Sequence, residues 1–140
     1  MNRVNVFTDG GSRGNPGPSA VGVYVEDYDG KELVSIGKKI GIATNNVAEY
    51  SAIIEAFEWL CVSKDKLGNN TKIFFYLDSE LAYSQLSGLY KIKNAAIREL
   101  VLKIRQKEAE LNMSVIYSHI PREKNKKADL LVNLALDNLL

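Results

Sequence analysis

Apolar and polar positions change period several times along the chain. "RVNVFTD" alternates loosely and predicts a strand over 3–9. "SAVGVYVEDYDGKELVSIGKKI" predicts two more strands over 19–40, with a turn at "YDGK". Gly22 and Gly37 interrupt those strands and mark bulges or close backbone approach. From 46 to 62 the period becomes helical, with Tyr50, Ile53, Ile54, Phe57, Leu60 and Cys61 on one face and Glu55 and Glu58 off it. "GNN" at 68–70 breaks the chain. "KIFFYL" at 72–77 is nearly continuous, which suits a strand covered on both faces. A short helix is expected over 79–88, with Gly88 at its C-terminal cap. A longer amphipathic helix follows over 95–111. Ile97, Leu100, Val101, Ile104 and Leu111 share its face with a lone polar Glu108, and Glu99 and Lys103 are spaced to pair. A strand over 114–120 and a helix over 125–140 complete the chain.

The order is β-β-β-α-β-α-α-β-α. Strands in series followed by alternation imply a mixed sheet with helices packed on it. A length of 140 residues predicts one domain spanning 1–140, large enough to bury a core without staples. No segment approaches the roughly 18 apolar residues of a membrane span. Strand-like sequence starts at once, with no signal-peptide core. The single Cys61 excludes an internal disulfide and fits a reducing cytoplasm. With one cysteine and one histidine, a structural zinc site is not expected. The net charge of +1 announces no global basic field. It hides small basic clusters, "YKIK" at 90–93 and "REKNKK" at 122–127, which read equally well as solvated surface lysines. Nothing in the sequence suggests an obligate dimer, so a monomer is expected.

"FTDGGSRGNPGPSAVGVYV" raises the first chemical question, because glycines crowd the stretch after Asp9. The connection looks longer and richer than a hairpin of two to five loop residues. It does not fit a nucleotide fingerprint. The glycines at 10, 11, 14 and 17 do not spell G-x-G-x-x-G, G-K-[ST] is absent, and strand rather than helix follows.

Four acids stand at element junctions. Asp9 ends the first strand and Asp78 ends "IFFYLD"; Glu49 and Asp129 sit in the first turns of the first and last long helices. Each has a bland explanation. Asp9-Gly10 is a turn dipeptide, and Glu49 follows Asn46 as in a capping box. Asp78 is placed to cap a helix, and Asp129 gains from the helix dipole. Together those explanations weaken. Ligands bind at the carboxyl ends of strands in open α/β sheets. Gathered carboxylates repel and raise one another's pKa values, which a divalent cation resolves. Oxygen ligands with few nitrogens suit Mg²⁺ or Mn²⁺.

The set "FTDGGSRGNPGP", "TNNVAEY", "YLDSELAYSQLSG", "YKIKN" and "IPREKNKKADLLVNLA" resembles type 1 ribonuclease H over essentially the whole chain, in order. The resemblance implies the ribonuclease H-like α/β fold, a five-stranded mixed sheet with three antiparallel N-terminal strands plus two parallel ones. It implies endonucleolytic cleavage of the RNA strand in an RNA–DNA hybrid, leaving a 5′-phosphate and a 3′-hydroxyl. Asp9, Glu49, Asp78 and Asp129 match the family's acids for two Mg²⁺ ions. Gly10 and Gly11 belong to the stretch expected to lie against the hybrid, where absent side chains let backbone groups reach the RNA 2′-hydroxyl. Asn15 and Asn45 match hybrid-contacting positions, with Asn46 torn between contact and capping. Thr44 and Asn94 resemble positions that hold a DNA-strand phosphate.

The chain departs from the family in places. It is a short form: only "GLYKIKN" at 88–94 stands where many bacterial members carry a basic, tryptophan-bearing handle. Weaker binding and a shallower salt dependence are expected, with Lys91 and Lys93 compensating in part. Glu80 stands where several members have glutamine. His119 precedes Asp129 at a spacing that fits the family's catalytic histidine, yet it also reads as the last residue of a strand; Arg122 competes for the place nearest the site. The alternatives to a hybrid-specific nuclease are a non-catalytic binding module for hybrid or double-stranded RNA, and a DNA-cleaving nuclease of the same architecture.

Overall fold

The computed structural model describes residues 2–140. Its strands are β1 (Arg3–Ser12), β2 (Gly17–Asp27), β3 (Glu32–Ala43), β4 (Lys72–Leu77) and β5 (Ser114–His119). Its helices are α1 (Asn45–Val62), α2 (Lys64–Leu67), α3 (Glu80–Leu86), α4 (Ala95–Leu111) and α5 (Lys126–Leu136), with a 3₁₀ turn at Arg122–Lys124. The sheet order is β3-β2-β1-β4-β5. β1–β2 and β2–β3 pair antiparallel, while β1–β4 and β4–β5 pair parallel. This is the expected mixed sheet; α2 and the 3₁₀ turn are additions too short for a periodicity to show.

The core lies between the sheet and the pair α1, α4. Val4, Val6, Val23, Val25, Ile73, Phe75 and Leu77 from alternate strand positions meet Tyr50, Ile53, Phe57 and Leu60 of α1, and Ile97, Val101, Ile104 and Leu111 of α4. Phe57 stacks on Phe75 with ring centroids 4.8 Å apart. Truncating either ring to alanine typically costs 3–5 kcal/mol. Glu108, the polar residue on the apolar face of α4, accepts from the Tyr117 hydroxyl at 2.6 Å and takes both oxygens to Arg105 at 3.1 Å. The expected Glu99–Lys103 pair does not form; α4 carries Arg105–Glu108 and Lys107–Glu110 bridges instead, at three-residue spacing.

α5 covers the opposite face over β2 and β3. It reaches close contact because Gly22 lacks a side chain: a Cβ there would stand 2.1 Å from the Ala128 carbonyl oxygen. The close approach expected at Gly22 is therefore made by a helix. β4 corrects the expectation of burial on both faces. Ile73, Phe75 and Leu77 are buried, but Phe74 and Tyr76 are only half-buried on the α5 side. They are shielded locally: the Arg3 guanidinium lies 3.9 Å over the Phe74 ring, and Phe7 stacks on Tyr76 at 4.8 Å. A continuous apolar run therefore need not mean two helical covers.

β1 also runs further than expected, through Gly10 and Gly11 to Ser12, which pair with Val21, Ala20 and Ser19. Only residues 13–16 connect it to β2, a four-residue link of ordinary hairpin length. The glycines belong mostly to the strands, because cross-strand pairing overrides their low strand propensity.

Candidate active site

The parallel pairing of β1 with β4 ends at Thr8 opposite Leu77, so the next residues, Asp9 and Asp78, emerge side by side. Glu49 joins them from α1. Gly10 makes this possible: a Cβ there would fall 2.1 Å from the Ala48 carbonyl carbon and 2.4 Å from the Glu49 nitrogen. Oxygens of Asp9, Glu49 and Asp78 lie within 4.8 Å of one another. Asp129, in the first turn of α5, lines the same cleft of about 460 Å³ but falls outside that tight trio.

The electrostatics are strained. Asp9 is 8% exposed. Burial, and then the Asp78 charge, push its carboxyl up to about 7, with Asp129 adding to the rise and a hydrogen bond with Glu49 opposing it. Glu49 is raised well above the usual carboxylate range by burial and by the charges of Asp9 and Asp78; the Gly10 N–H relieves it only partly. Among the described residues none of the four acids forms an ion pair with a protein cation. Converging oxygens, no sulfur or nitrogen donor in the trio, and uncompensated charge fit a hard divalent cation.

Local structure corrects three capping expectations. Thr44, not Asn46, caps α1, its hydroxyl accepting from the Val47 N–H at 3.2 Å. Glu49 therefore lies beyond the first turn and is no capping-box partner, which leaves its carboxylate for the cleft. Ser79 rather than Asp78 caps α3, accepting from the Ala82 N–H at 3.1 Å. Gly88 follows the Ser87 cap of α3 in a left-handed conformation, φ 77°.

The remaining expected residues divide between two clefts. Gly10, Gly11, Asn45, Asn46 and Arg122 line the acidic one, as does Glu80. What the missing side chains of Gly10 and Gly11 accommodate is helix: α1 at Gly10, and the Val132 methyl of α5 at 3.2 Å from a Cβ on Gly11. Asn15, Thr44, Asn46 and Asn94 line a second cleft of about 600 Å³, together with Lys91 and Lys93. Asn15 and Asn45 join the hairpin to α1: Asn15 Oδ1 accepts from the Asn45 N–H at 3.0 Å, and Asn45 Oδ1 accepts from the Ser12 N–H at 2.9 Å. Asn94 caps α4, accepting from the Ile97 N–H at 3.1 Å. His119 ends β5, with Nε2 3.3 Å from the Asp78 carbonyl oxygen and its ring over Tyr83, and it does not line the acidic cleft.

Sequence reasoning missed Asn125. It precedes α5 but makes no cap bond with its side chain. Instead its Nδ2, in a residue 1% exposed, donates to the Thr8 carbonyl at 2.8 Å and to Asp78 Oδ2 at 3.0 Å. One amide thus fixes the Asp78 carboxylate against the β1 backbone at Thr8. The only trace in the sequence is an asparagine four positions before Asp129, which a helix cap explains equally well.

The chain is similar to known proteins along nearly its whole length. LC11-RNase H1, isolated from compost, is 44% identical with a TM-score of 0.90, the match covering 99% of this chain and 98% of that one. The same protein has been solved in complex with an RNA/DNA hybrid, at a TM-score of 0.91. Ribonuclease HI of Halobacterium salinarum is 38% identical over 136 residues, and the bifunctional protein Rv2228c of Mycobacterium tuberculosis is 36% identical over 136. The match covers 97% and 96% of this chain, but only 65% and 36% of those two relatives. The family model described as RNase H matches residues 1–137. With its five-stranded mixed sheet and with Asp9 and Asp78 emerging where the β1–β4 pairing ends, the chain belongs to the RNase H family.

Proposed function

We propose that the chain is an endoribonuclease that hydrolyses the RNA strand of RNA–DNA hybrids and leaves 5′-phosphate and 3′-hydroxyl ends. The observation that carries this reading is the convergence of Asp9, Glu49 and Asp78 oxygens within 4.8 Å where the parallel pairing of β1 with β4 ends. A binding-only module has no use for such a gathering, since each acid raises the energy of its neighbours. Asp9, Glu49, Asp78 and Asp129 would hold two Mg²⁺ ions, with Mn²⁺ as a substitute, and the bound ions would supply Lewis-acid stabilisation and water activation at the scissile phosphate.

The chain's own residues do the rest. Asn125 holds Asp78 in one orientation, which limits reorganisation during reaction. Arg122 contributes positive charge to the acidic cleft and acts electrostatically, because a guanidinium does not deprotonate. His119, turned to a backbone carbonyl, is assigned a structural role. Gly10, Gly11, Asn45 and Asn46 face the RNA strand, where backbone and amide groups recognise the 2′-hydroxyl. Asn15, Thr44 and Asn94, with Lys91 and Lys93, receive a phosphate of the DNA strand in the second cleft. Recognition of this kind reads sugar and shape, so sequence preference is weak. The protein acts as a single domain and a monomer in the cytoplasm, a compartment that suits its lone free Cys61.

Strand-labelled cleavage assays on RNA–DNA, RNA–RNA and DNA–DNA duplexes, with and without Mg²⁺, test the proposal. Cutting confined to the RNA strand of the hybrid and dependent on Mg²⁺ is expected. Digestion of DNA duplex, or an uncut hybrid, overturns it.

A further inference from the structure

The acidic cleft is a difficult place for a polyanion. Its wall carries Asp9, Glu49, Asp78, Glu80 and Asp129 against two cationic side chains, Arg13 and Arg122. Arg13 occupies the first position of the β1–β2 link, and its guanidinium is engaged at rest. Nη1 donates to Asp137 Oδ1 at 2.5 Å, and Nη2 donates to Asn133 Oδ1 at 3.4 Å.

That engagement is not what holds the link in place. The Arg13 N–H donates to the Pro18 carbonyl at 2.8 Å, the Ser12 hydroxyl reaches the Ala43 carbonyl at 2.9 Å, and Asn45 and Asn15 exchange bonds with the neighbouring backbone. The guanidinium is therefore spare. Its ion pair lies in water, the two side chains being 47% and 46% exposed, and pairs so exposed contribute little to stability. Asp137 is also a poor long-term partner. It caps the C-terminus of α5, where the helix dipole disfavours negative charge. A phosphate diester oxygen offers the same guanidinium a charge-assisted, fork-shaped contact without that handicap.

The geometry points to Arg13 as a substrate-binding residue that leaves Asp137 to take a backbone phosphate of the strand lying in the acidic cleft, with Asp137 as its competitor. This rests on the hybrid-cleavage reading above and deepens it. It also gives the short link a task in binding, beside the turn that it makes between β1 and β2.

Steady-state cleavage of a labelled hybrid from about 50 to about 200 mM KCl tests the assignment. Arg13→Ala raises KM roughly three- to tenfold and lowers the slope of log KM against log salt by about one. Asp137→Asn shifts KM the other way, because the competitor is gone. Arg13→Lys keeps the wild-type salt slope, since an ammonium still neutralises a phosphate as a point charge. The double variant R13A/D137N matches R13A. If R13A and D137N raise KM alike with no change in slope, the pair is only a tether between link and helix, and the assignment falls while hybrid cleavage stands. If the wild-type chain leaves the hybrid uncut, the parent reading falls and takes this inference with it.

Discussion

The two clefts, placed side by side, use polar residues in opposite ways. In the second cleft the expected contact residues are already satisfied within the protein: Thr44 and Asn94 cap helices, and Asn15 accepts from the Asn45 backbone. In the acidic cleft, carboxylates face one another with no ion-pair partner among the described residues, and burial, reinforced by the Asp78 charge, holds Asp9 near 7 rather than 3.8. The first arrangement serves folding whether or not a ligand arrives. The second lowers stability until something positive binds. That asymmetry separates groups with a structural reason to be present from groups whose reason is chemical.

The largest effect expected from breaking this contrast is on catalysis. Asp78→Asn lowers hybrid cleavage by at least ~10³-fold, because it removes a charge that would bind cation while leaving an isosteric acceptor for Asn125. Circular dichroism should show an intact fold, and the metal-free melting temperature should rise as repulsion with Asp9 is relieved. An active variant would remove the carboxylate assignment.

Next comes the pH dependence of metal-free stability. The folded chain holds the Asp9 proton more tightly than the unfolded chain does, so its contribution is fully present below about 3.8 and is lost as pH rises through about 7. Across that window the wild type loses up to about 4 kcal/mol relative to Asp9→Asn. Denaturant titrations of both proteins in chelator measure the difference, and parallel curves would show that Asp9 carries no such burden.

A smaller effect distinguishes Arg122 from His119. Arg122→Ala is expected to lower kcat roughly tenfold, and His119→Ala to lower it by less than about twofold, in keeping with which side chain lines the cleft. The reverse ranking returns His119 to the mechanism.

The second cleft yields the smallest changes. Thr44→Ala and Asn94→Ala each cost about 1 kcal/mol of stability through a lost cap. Neither alters the salt slope of hybrid binding, whereas K91A/K93A lowers it by up to about two. An unchanged slope in the lysine variant would remove the phosphate assignment from this cleft.

Sequence pattern carried much of this molecule. The periods of α1 and α4, the two apolar runs ending on Asp9 and Asp78, and the position of Asp129 at a helix start were readable because each is a local property: backbone geometry fixes which residues share a face. Boundaries were harder to read where composition misleads. Gly10 and Gly11 look like loop and are strand, because their partners on β2 hold them there.

What the chain alone determined, then, is a mixed sheet with helices and acids at the right strand ends. Tertiary structure decided which groups meet. It brought Glu49 in over a glycine, aimed Asn125 backward onto Asp78, turned His119 toward a backbone carbonyl, left half of β4 without a helical cover and set Arg13 against Asp137. These depend on distances between elements far apart in sequence, which only the packing of whole helices on the sheet can set.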